Sequence, residues 1–214
     1  ASAADALQQA QGSRPEASNS LLAETVGFVR EMLPSKHPYA KVVVPPAGQI
    51  QPQTWRLGSS GQSAAWAGEQ GMDYAYAQFF TGRQDTGIMD HYRAHLSDGF
   101  PGRTLSAVCV SAAPTRQEAL EQSLMAANFR VSLGTGRPVT FVTASQMDAE
   151  TRSLLTSYVL SNEDTIFVGD YDEVADKLTA FQDAHHVDEL MLISYIDNVQ
   201  TKVERYRQLA KRLI

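Results

Sequence analysis

The sequence predicts an α/β domain built around a parallel β-sheet. Short apolar segments alternate with longer segments whose apolar residues recur at helical spacing, which is the pattern of successive strand–helix units. The predicted strands are apolar nearly throughout, as expected for strands that are covered on both faces. Of the 214 residues, 43% are apolar and 20% are charged, a composition typical of a folded globular chain. This length suffices for one sizeable domain or two small ones.

The first predicted domain, residues 1–34, consists of an N-terminal arm and one helix. Residues 1–18 contain mainly Ala, Gln, Ser and Gly, so we expect a mobile arm or a helix fragment there. Beyond them, apolar residues recur on one face of a helix at Leu22, Val26, Val29 and Leu33. Pro34 ends this helix. The second predicted domain spans residues 35–214 and begins with a proline-rich loop.

Four strand–helix units make up most of the second domain. The strands are predicted at residues 55–59, 74–80, 104–110 and 189–194. Helices are predicted at residues 63–70, along the stripe 89–96, after the capping sequence 115–118, at about 148–160, and after the caps Asp170 and Asn198. In the last helix the residues expected to face inward are Val199, Val203, Tyr206 and Ala210. Residues 132–165 interrupt the alternation and are predicted to form an insertion.

These four parallel β/α units amount to half of a (β/α)8 barrel, which needs eight. A half-barrel leaves two open parallel edges and an unfilled interior, and open edges readily pair with other strands. We therefore expect partner strands from another chain, from a second copy of this one, or from an N-terminal half of the barrel.

The clearest candidate site is the turn after the first strand, where a Gly/Ser sequence leads into a helix. Its candidate ligand-binding residues are Ser59, Ser60, Gly61 and Ser63. Backbone N–H groups and the positive end of the helix favour a phosphate at such a place. The alternative is that Ser60 merely caps the helix, and the turn alone does not decide between the two interpretations.

Four motifs in order, beginning at this turn, carry a resemblance to a known family. They are Leu-Gly-Ser-Ser at 57–60 with Ser-Ala-Ala-Trp-Ala at 63–67 and Gly-Met-Asp-Tyr-Ala-Tyr-Ala at 71–77, Arg130 with Arg-Pro at 137–138, Val-Gly-Asp at 168–170 with Glu173, and Asp-Glu-Leu-Met at 188–191. Together they resemble the second half of the bacterial-luciferase-like, flavin-dependent monooxygenases. The resemblance runs from about residue 36 to the C-terminus.

The resemblance implies a TIM barrel, FMN or reduced FMN as the cofactor, and oxygen-dependent oxidation of a small organic substrate. By position, Ser59, Ser60, Gly61 and Ser63 would hold the flavin phosphate. Nothing in the sequence matches the first four β/α units of the family, which carry much of its flavin pocket. The sequence assigns no catalytic residue and identifies no substrate. Two alternatives stay open: a non-catalytic flavin binder, and a truncated fragment that self-associates.

Other classes of protein are disfavoured by charge and composition. The net charge of −6 and the pI near 5.3 argue against a protein that binds nucleic acid. The longest apolar runs are far shorter than the roughly 18 residues that a transmembrane helix needs. One cysteine excludes an intramolecular disulfide. We therefore expect a soluble, cytoplasmic protein.

A few further side chains could take part in chemistry or in packing. His91 and His95 have the i, i+4 spacing of a helical metal pair, but no third ligand is evident, so we predict no metal site. His185 and His186 end a helix and are expected at the surface. Cys109 lies within a strand, where a buried, inert thiol is more common than a nucleophile. The residues predicted to close the second strand, where they would flank a ring or pack in the core, are Tyr76, Phe79 and Phe80.

Overall fold

The computed structural model describes residues 15–30, 33–42, 52–82, 85–163 and 165–214. These residues belong to two compact units, one ending at Trp55 and the other spanning Arg56–Ile214. The predicted arm lies mostly outside the described residues, and the predicted boundary after residue 34 stays a prediction. No helix in the described ranges is long and apolar enough to cross a bilayer.

The described part of the first unit contains helix α1, Pro15–Val29. It begins and ends earlier than the predicted helix. The segment beyond it packs back on α1, because the Tyr39 ring meets the Phe28 ring edge-on at 6.3 Å. His37 Nε2 also lies 3.2 Å from the Glu24 carboxylate.

The second unit alternates strands and helices in the predicted order. The strands that the structure describes are β1 (Trp55–Gly58), β2 (Asp73–Tyr76), β3 (Thr104–Ala113), β4 (Phe167–Asp170) and β5 (Glu189–Ile193). The helices of this unit, within the same described ranges, are α2 (Gly61–Glu69), α3 (Gln78–Thr81), α4 (Ile88–Arg93), α5 (Arg116–Thr135), α6 (Ala149–Leu160), α7 (Tyr171–His185) and α8 (Val199–Leu213), with a 3₁₀ turn at Ala144–Gln146.

Strand β3 is the centre of the sheet. Its first half pairs in parallel with β2, where Tyr74 is opposite Thr104, and with β5, where Leu105 is opposite Glu189. Its second half pairs in parallel with β4. Strand β1 adjoins β2 at the end of the strand order. In the described ranges the strands form an open sheet, which confirms the predicted incomplete parallel barrel.

Strand β4 is absent from the sequence prediction, which gave four strands. It has only four residues and runs directly into the helix cap Asp170, so its strand pattern is too short to stand out. It forms because β3 extends to Ala113, three residues beyond the predicted end, and offers it a partner edge.

Alternate residues of β3 point to two separate apolar layers, as the two-residue period of a strand requires. Val108, Val110 and Ala112 pack against α7 and α8 through Leu178, Phe181 and Leu209, among others. On the other face, Cys109 and Ala113 pack against α5 and α6 through Leu124, Ala127 and Val159, among others. The helices therefore cover both faces of this strand.

Two predicted details are wrong. The second strand ends at Tyr76 rather than residue 80, because the backbone of Ala77 (φ −82°, ψ 62°) leaves the extended region and starts α3. In α8, Val199 is 67% exposed and Val203 and Ala210 are also exposed, so the predicted inward stripe is misplaced. The stripe that packs on the sheet is Tyr206, Leu209 and Leu213.

Candidate functional site

The predicted turn connects β1 to α2 and is closed by a reciprocal cap. Ser60 is the N-cap, and its Oγ accepts a hydrogen bond from the Ser63 backbone N–H at 3.3 Å. In return, Ser63 Oγ accepts from the Ser60 N–H at 3.3 Å and donates to the Ser60 carbonyl at 2.7 Å. The two hydroxyls thus satisfy the turn itself, and Ser60 caps the helix.

The buried Tyr74 contacts this turn through its hydroxyl group. Tyr74 Oη lies 3.2 Å from Ser63 Oγ and donates to the Ser60 carbonyl at 3.4 Å. Its ring stacks on Tyr92 with a centroid separation of 5.6 Å. Burial raises the pKa of Tyr74 to about 12, so the phenol stays protonated and remains a donor at neutral pH.

Gly58 is required because the turn folds tightly over it. A Cβ on Gly58 would lie 2.1 Å from Ser63 Oγ and 2.5 Å from Ser63 Cβ. Any side chain here would displace Ser63 and break the cap. The glycine at the end of β1 therefore fixes the path of the chain into α2.

Two backbone N–H groups at the start of α2 are available as hydrogen-bond donors. The N–H groups of Gly61 and Gln62 lie in the first helical turn, where the helix supplies no acceptor, and no acceptor for them occurs among the described residues. Ser59 and Ser60 are exposed beside them. Exposed N–H groups at the positive end of a helix are suited to bind a phosphate.

His91 lies beside this turn, which the sequence did not indicate. A Cβ built on Gly61 would lie 3.4 Å from His91 Cδ2 and 3.5 Å from His91 Nε2. His95 lies just beyond the end of α4, with the two rings 4.5 Å apart and His95 Nδ1 2.8 Å from the His91 carbonyl. Within the part of the chain that the structure describes, no group of three His, Cys, Asp or Glu side chains could hold a metal ion.

A buried arginine ties together the segments at the far end of the sheet. Arg130 of α5 is 7% exposed. It donates from Nε to the Phe79 carbonyl at 3.1 Å, from Nη1 to Thr165 Oγ1 at 3.0 Å, and from Nη2 to the Thr165 carbonyl at 2.7 Å. The buried Gln78 adds a bond from Nε2 to the same Thr165 carbonyl at 3.1 Å. Arg130 thus fastens the segment after β2 to the segment before β4.

Two adjoining cavities open beyond the carboxyl end of β5. Their volumes are about 430 and 530 Å³. Both are lined by Met125, Thr143, Ser145, Tyr195, Ile196 and Asp197. The Tyr195 ring lies 5.4 Å from Phe129 and 5.9 Å from Phe141, centroid to centroid. Most of the other lining side chains are polar or charged, so cavities of this size are suited to a small organic molecule that carries polar groups.

The aromatic residues predicted near the end of the second strand have separate environments. Tyr76 is buried in the core, Phe79 packs against the α5–α6 layer, and Phe80 is exposed. Cys109 is buried as predicted, and burial raises the pKa of its thiol to about 11, which makes it a poor nucleophile.

His185 is not at the surface, so that prediction is wrong, whereas His186 is exposed. The reason is that His185 continues the inward stripe of α7 formed by Val174, Leu178 and Phe181. The i, i+4, i+7, i+11 spacing of these four residues was a signal in the sequence that indicated burial.

Comparison with known proteins gives relatives but no matching family model. The chain is 26% identical over 215 residues to the N-acetyl-S-alkylcysteine monooxygenase of Bacillus subtilis (strain 168), covering 98% of this chain and 64% of that protein. It is also 26% identical to the uncharacterized protein YwcH of the same organism, covering 87% of this chain and 57% of the relative. The chain thus spans about three fifths of the length of these relatives.

Solved structures show the same architecture. The apo-MsnO8 structure superposes with a TM-score of 0.69 at 26% identity, covering 93% of this chain and 62% of that one. An F420-dependent secondary alcohol dehydrogenase gives a TM-score of 0.62 at 12% identity, covering 94% of this chain and 63% of that one. The long-chain alkane monooxygenase LadA gives 0.51 at 16% identity, covering 79% and 42%. The last two likenesses concern the fold alone.

Proposed function

We propose that this chain, which is similar in sequence and fold to the luciferase-like monooxygenases, forms part of a flavin-dependent monooxygenase. The enzyme would use reduced FMN and molecular oxygen to oxidise a small organic substrate. The observation that carries this proposal is the similarity over 98% of the chain to a monooxygenase. The turn before α2 supports it, because it offers phosphate donors where the family resemblance implies them.

The turn would hold the FMN phosphate mainly through its backbone. The N–H groups of Gly61 and Gln62 and the exposed hydroxyl of Ser59 are the donors for the phosphate oxygens. Ser60 contributes less than the sequence suggested, because its hydroxyl already donates its hydrogen to Ser63 Oγ at 3.3 Å. Ser63 acts as a positioning residue through that cap. His91, next to Gly61, adds a ring nitrogen at the edge of the same site.

The remaining parts of the chain would orient the reactants and exclude water. Bound reduced FMN supplies the electrons for oxygen activation, so the protein needs no strong acid–base pair of its own. The paired cavities next to Tyr195 and Phe141 provide an aromatic wall for the substrate. Since the Bacillus relative is named for N-acetyl-S-alkylcysteines, thioethers of this class are the first substrates to test.

Partner strands complete the sheet in this proposal. In the described ranges β1, β4 and β5 each pair with one neighbouring strand, and β1 and β5 each expose a large apolar side chain, Leu57 at 57% and Met191 at 52%. Such exposed apolar positions at sheet edges favour further pairing. The additional strands come from N-terminal β/α units or from a second copy of the chain. Light scattering of the purified chain distinguishes these sources, because only the second gives a dimer mass.

Turnover is the direct test. The chain, and a reconstituted form with the N-terminal units of a relative, are supplied with reduced FMN, oxygen and N-acetyl-S-methylcysteine. The proposal predicts substrate-dependent formation of an oxygenated product by at least the reconstituted form. Flavin binding without product in both forms would contradict the monooxygenase proposal and favour a non-catalytic flavin binder.

A further inference from the structure

The paired cavities beyond β5 carry two charged side chains to which the proposed chemistry gives no role. Asp197 lines both cavities, and Lys202 of α8 lines the larger one, whose volume is about 530 Å³. Within the ranges that the structure describes, neither side chain forms an ion pair or a hydrogen bond. A carboxylate and an ammonium group therefore line the same cavity without partners.

The other charged side chains that line the smaller cavity are already paired. Glu121 lies 3.3 Å from Arg152, and Glu118 lies 3.8 Å from Arg205. These pairs leave the two charges of the larger cavity as the ones that are available to a ligand.

The N-cap of α8 fixes the backbone on which both charges are carried. Asn198 is this cap, and its Oδ1 accepts a hydrogen bond from the Thr201 N–H at 2.9 Å. Its carbonyl accepts from the Lys202 N–H at 3.0 Å. Asp197 directly precedes the cap. The two charges thus lie on either side of one capped helix start.

The aromatic wall of the same cavity is open to a ligand. Phe141 is 61% exposed, although its ring stacks on Tyr195 at 5.9 Å and on Phe129 at 6.0 Å. The segment that carries it is tethered, because Asn128 Nδ2 donates to the Thr140 carbonyl at 2.8 Å. An exposed ring that is held in place is suited to pack against the apolar part of a ligand.

Tyr195 adds a neutral hydrogen-bond donor to this wall. In the described part of the chain its hydroxyl has no hydrogen-bond partner, and it is not one of the unpartnered polar atoms that are closed off from solvent. A ligand can therefore reach it. Burial raises the pKa of Tyr195 to about 12, so the hydroxyl keeps its hydrogen at neutral pH and can donate to a carboxylate oxygen.

A ligand with a single charge would satisfy this cavity only in part. An anion would pair with Lys202 but would be repelled by Asp197, and a cation would meet the opposite arrangement. A zwitterion offers a partner of opposite charge to both side chains. The exposed ring of Phe141 then accommodates the apolar part of the same molecule.

From this arrangement we propose that the larger cavity binds a free α-amino acid with an apolar side chain. Its ammonium group pairs with Asp197, and its carboxylate pairs with Lys202 and accepts from the Tyr195 hydroxyl. The site is the substrate cavity of the proposed function, on which this inference rests. The free amino group distinguishes the ligand from the N-acetylated compounds for which the Bacillus relative is named.

The experiment compares L-phenylalanine with two matched ligands that each lack one charge. N-acetyl-L-phenylalanine keeps the carboxylate, and phenethylamine keeps the ammonium group. The ¹⁵N-labelled chain is titrated with each while the amide resonances of Tyr195 and Asp197 are recorded. Ion pairs at partly exposed positions are weak, so we expect L-phenylalanine to bind about threefold to fivefold more tightly than either matched ligand. No saturable shift with L-phenylalanine, or equal or tighter binding of either matched ligand, would overturn the proposal.

Variants assign each preference to one side chain. Asp197→Asn should remove the preference over N-acetyl-L-phenylalanine, and Lys202→Met should remove the preference over phenethylamine. Asp183→Asn and Lys211→Met change exposed charges elsewhere and should leave both affinity ratios unchanged. Each ratio compares two ligands on the same variant, so a change in stability does not alter it. Preferences that persist in Asp197→Asn and Lys202→Met would overturn the proposal.

These binding measurements use neither reduced flavin nor oxygen, so they separate this inference from the proposed function. Selective binding of the free amino acid without turnover of a thioether would support the cavity assignment and contradict the monooxygenase proposal alone. Turnover of N-acetyl-S-methylcysteine without any preference for the free amino acid would overturn this inference alone.

Discussion

Replacement of Arg130 by Met should destabilise the fold far more than replacement of an exposed arginine. Arg130 makes three hydrogen bonds, to the Phe79 carbonyl and to both oxygens of Thr165. A hydrogen bond to a charged group contributes about 1.5–3 kcal/mol. Met retains the packing volume and avoids the desolvation of a guanidinium, which offsets part of the loss. We expect a net decrease of about 3 kcal/mol in the free energy of unfolding.

Urea unfolding followed by circular dichroism measures this decrease. Arg152→Met is the matched control, because Arg152 forms an exposed ion pair with Glu121 at 3.3 Å. Such surface pairs contribute about 0–1 kcal/mol. If Arg130→Met cost less than about 1 kcal/mol, or no more than the control, Arg130 would not be the clamp between these segments, and the reasoning would be refuted.

Three further predictions concern single side chains. Asp170→Ala should lower the free energy of unfolding by about 1 kcal/mol, because Asp170 Oδ1 accepts hydrogen bonds from the N–H groups of Asp172 and Glu173. Asp170→Asn should retain most of this stability. Equal urea midpoints for the Ala variant and the unmodified chain would contradict the prediction. Burial lowers the pKa of His185 from its ordinary 6.5, so the imidazole binds a proton more readily in the unfolded chain than in the folded one. The free energy of unfolding should therefore be highest above pH 6.5 and decrease as the pH falls below it. His185→Phe should remove this part of the pH dependence. Cys109 should react with a disulfide reagent at pH 8 only as fast as the protein unfolds, since its thiol is buried and its pKa is about 11; prompt reaction of the native protein would contradict its burial.

The features that could be predicted from the sequence are those fixed by local interactions. The N-caps at Ser60, Thr115, Asp170 and Asn198 could be predicted because a cap needs only a polar side chain and the next backbone N–H groups. The central strand could be predicted over residues 104–110 because this segment is rich in small and β-branched residues. The helix stripe of α5 was likewise confirmed, with Leu124 and Ala127 buried.

The features that escaped prediction depend on contacts between distant parts of the chain. His91 contacts the turn before α2 because α4 packs beside α2, although His91 is 30 residues along the chain from Gly61. The contacts of Arg130 join residues 51 and 35 positions away. Neither neighbour is specified by a local pattern. The predicted burial of Val199 and Val203 in α8 was wrong for a similar reason. Packing against distant parts of the chain determines which face of this helix contacts the sheet.

The most direct test of the central proposal is a titration of the purified chain with FMN, followed by flavin fluorescence. Gly61→Asp is the decisive variant: a carboxylate in the first turn suits the helix dipole but repels a phosphate at the same N–H groups. Gly134→Asp adds the same charge where a new Cβ meets nothing within 4 Å. We predict saturable binding at micromolar FMN for the unmodified chain and Gly134→Asp, and at least tenfold weaker binding for Gly61→Asp. Equal binding by both variants, or no binding by the unmodified chain at about millimolar protein, would contradict the assignment of this turn to the flavin phosphate.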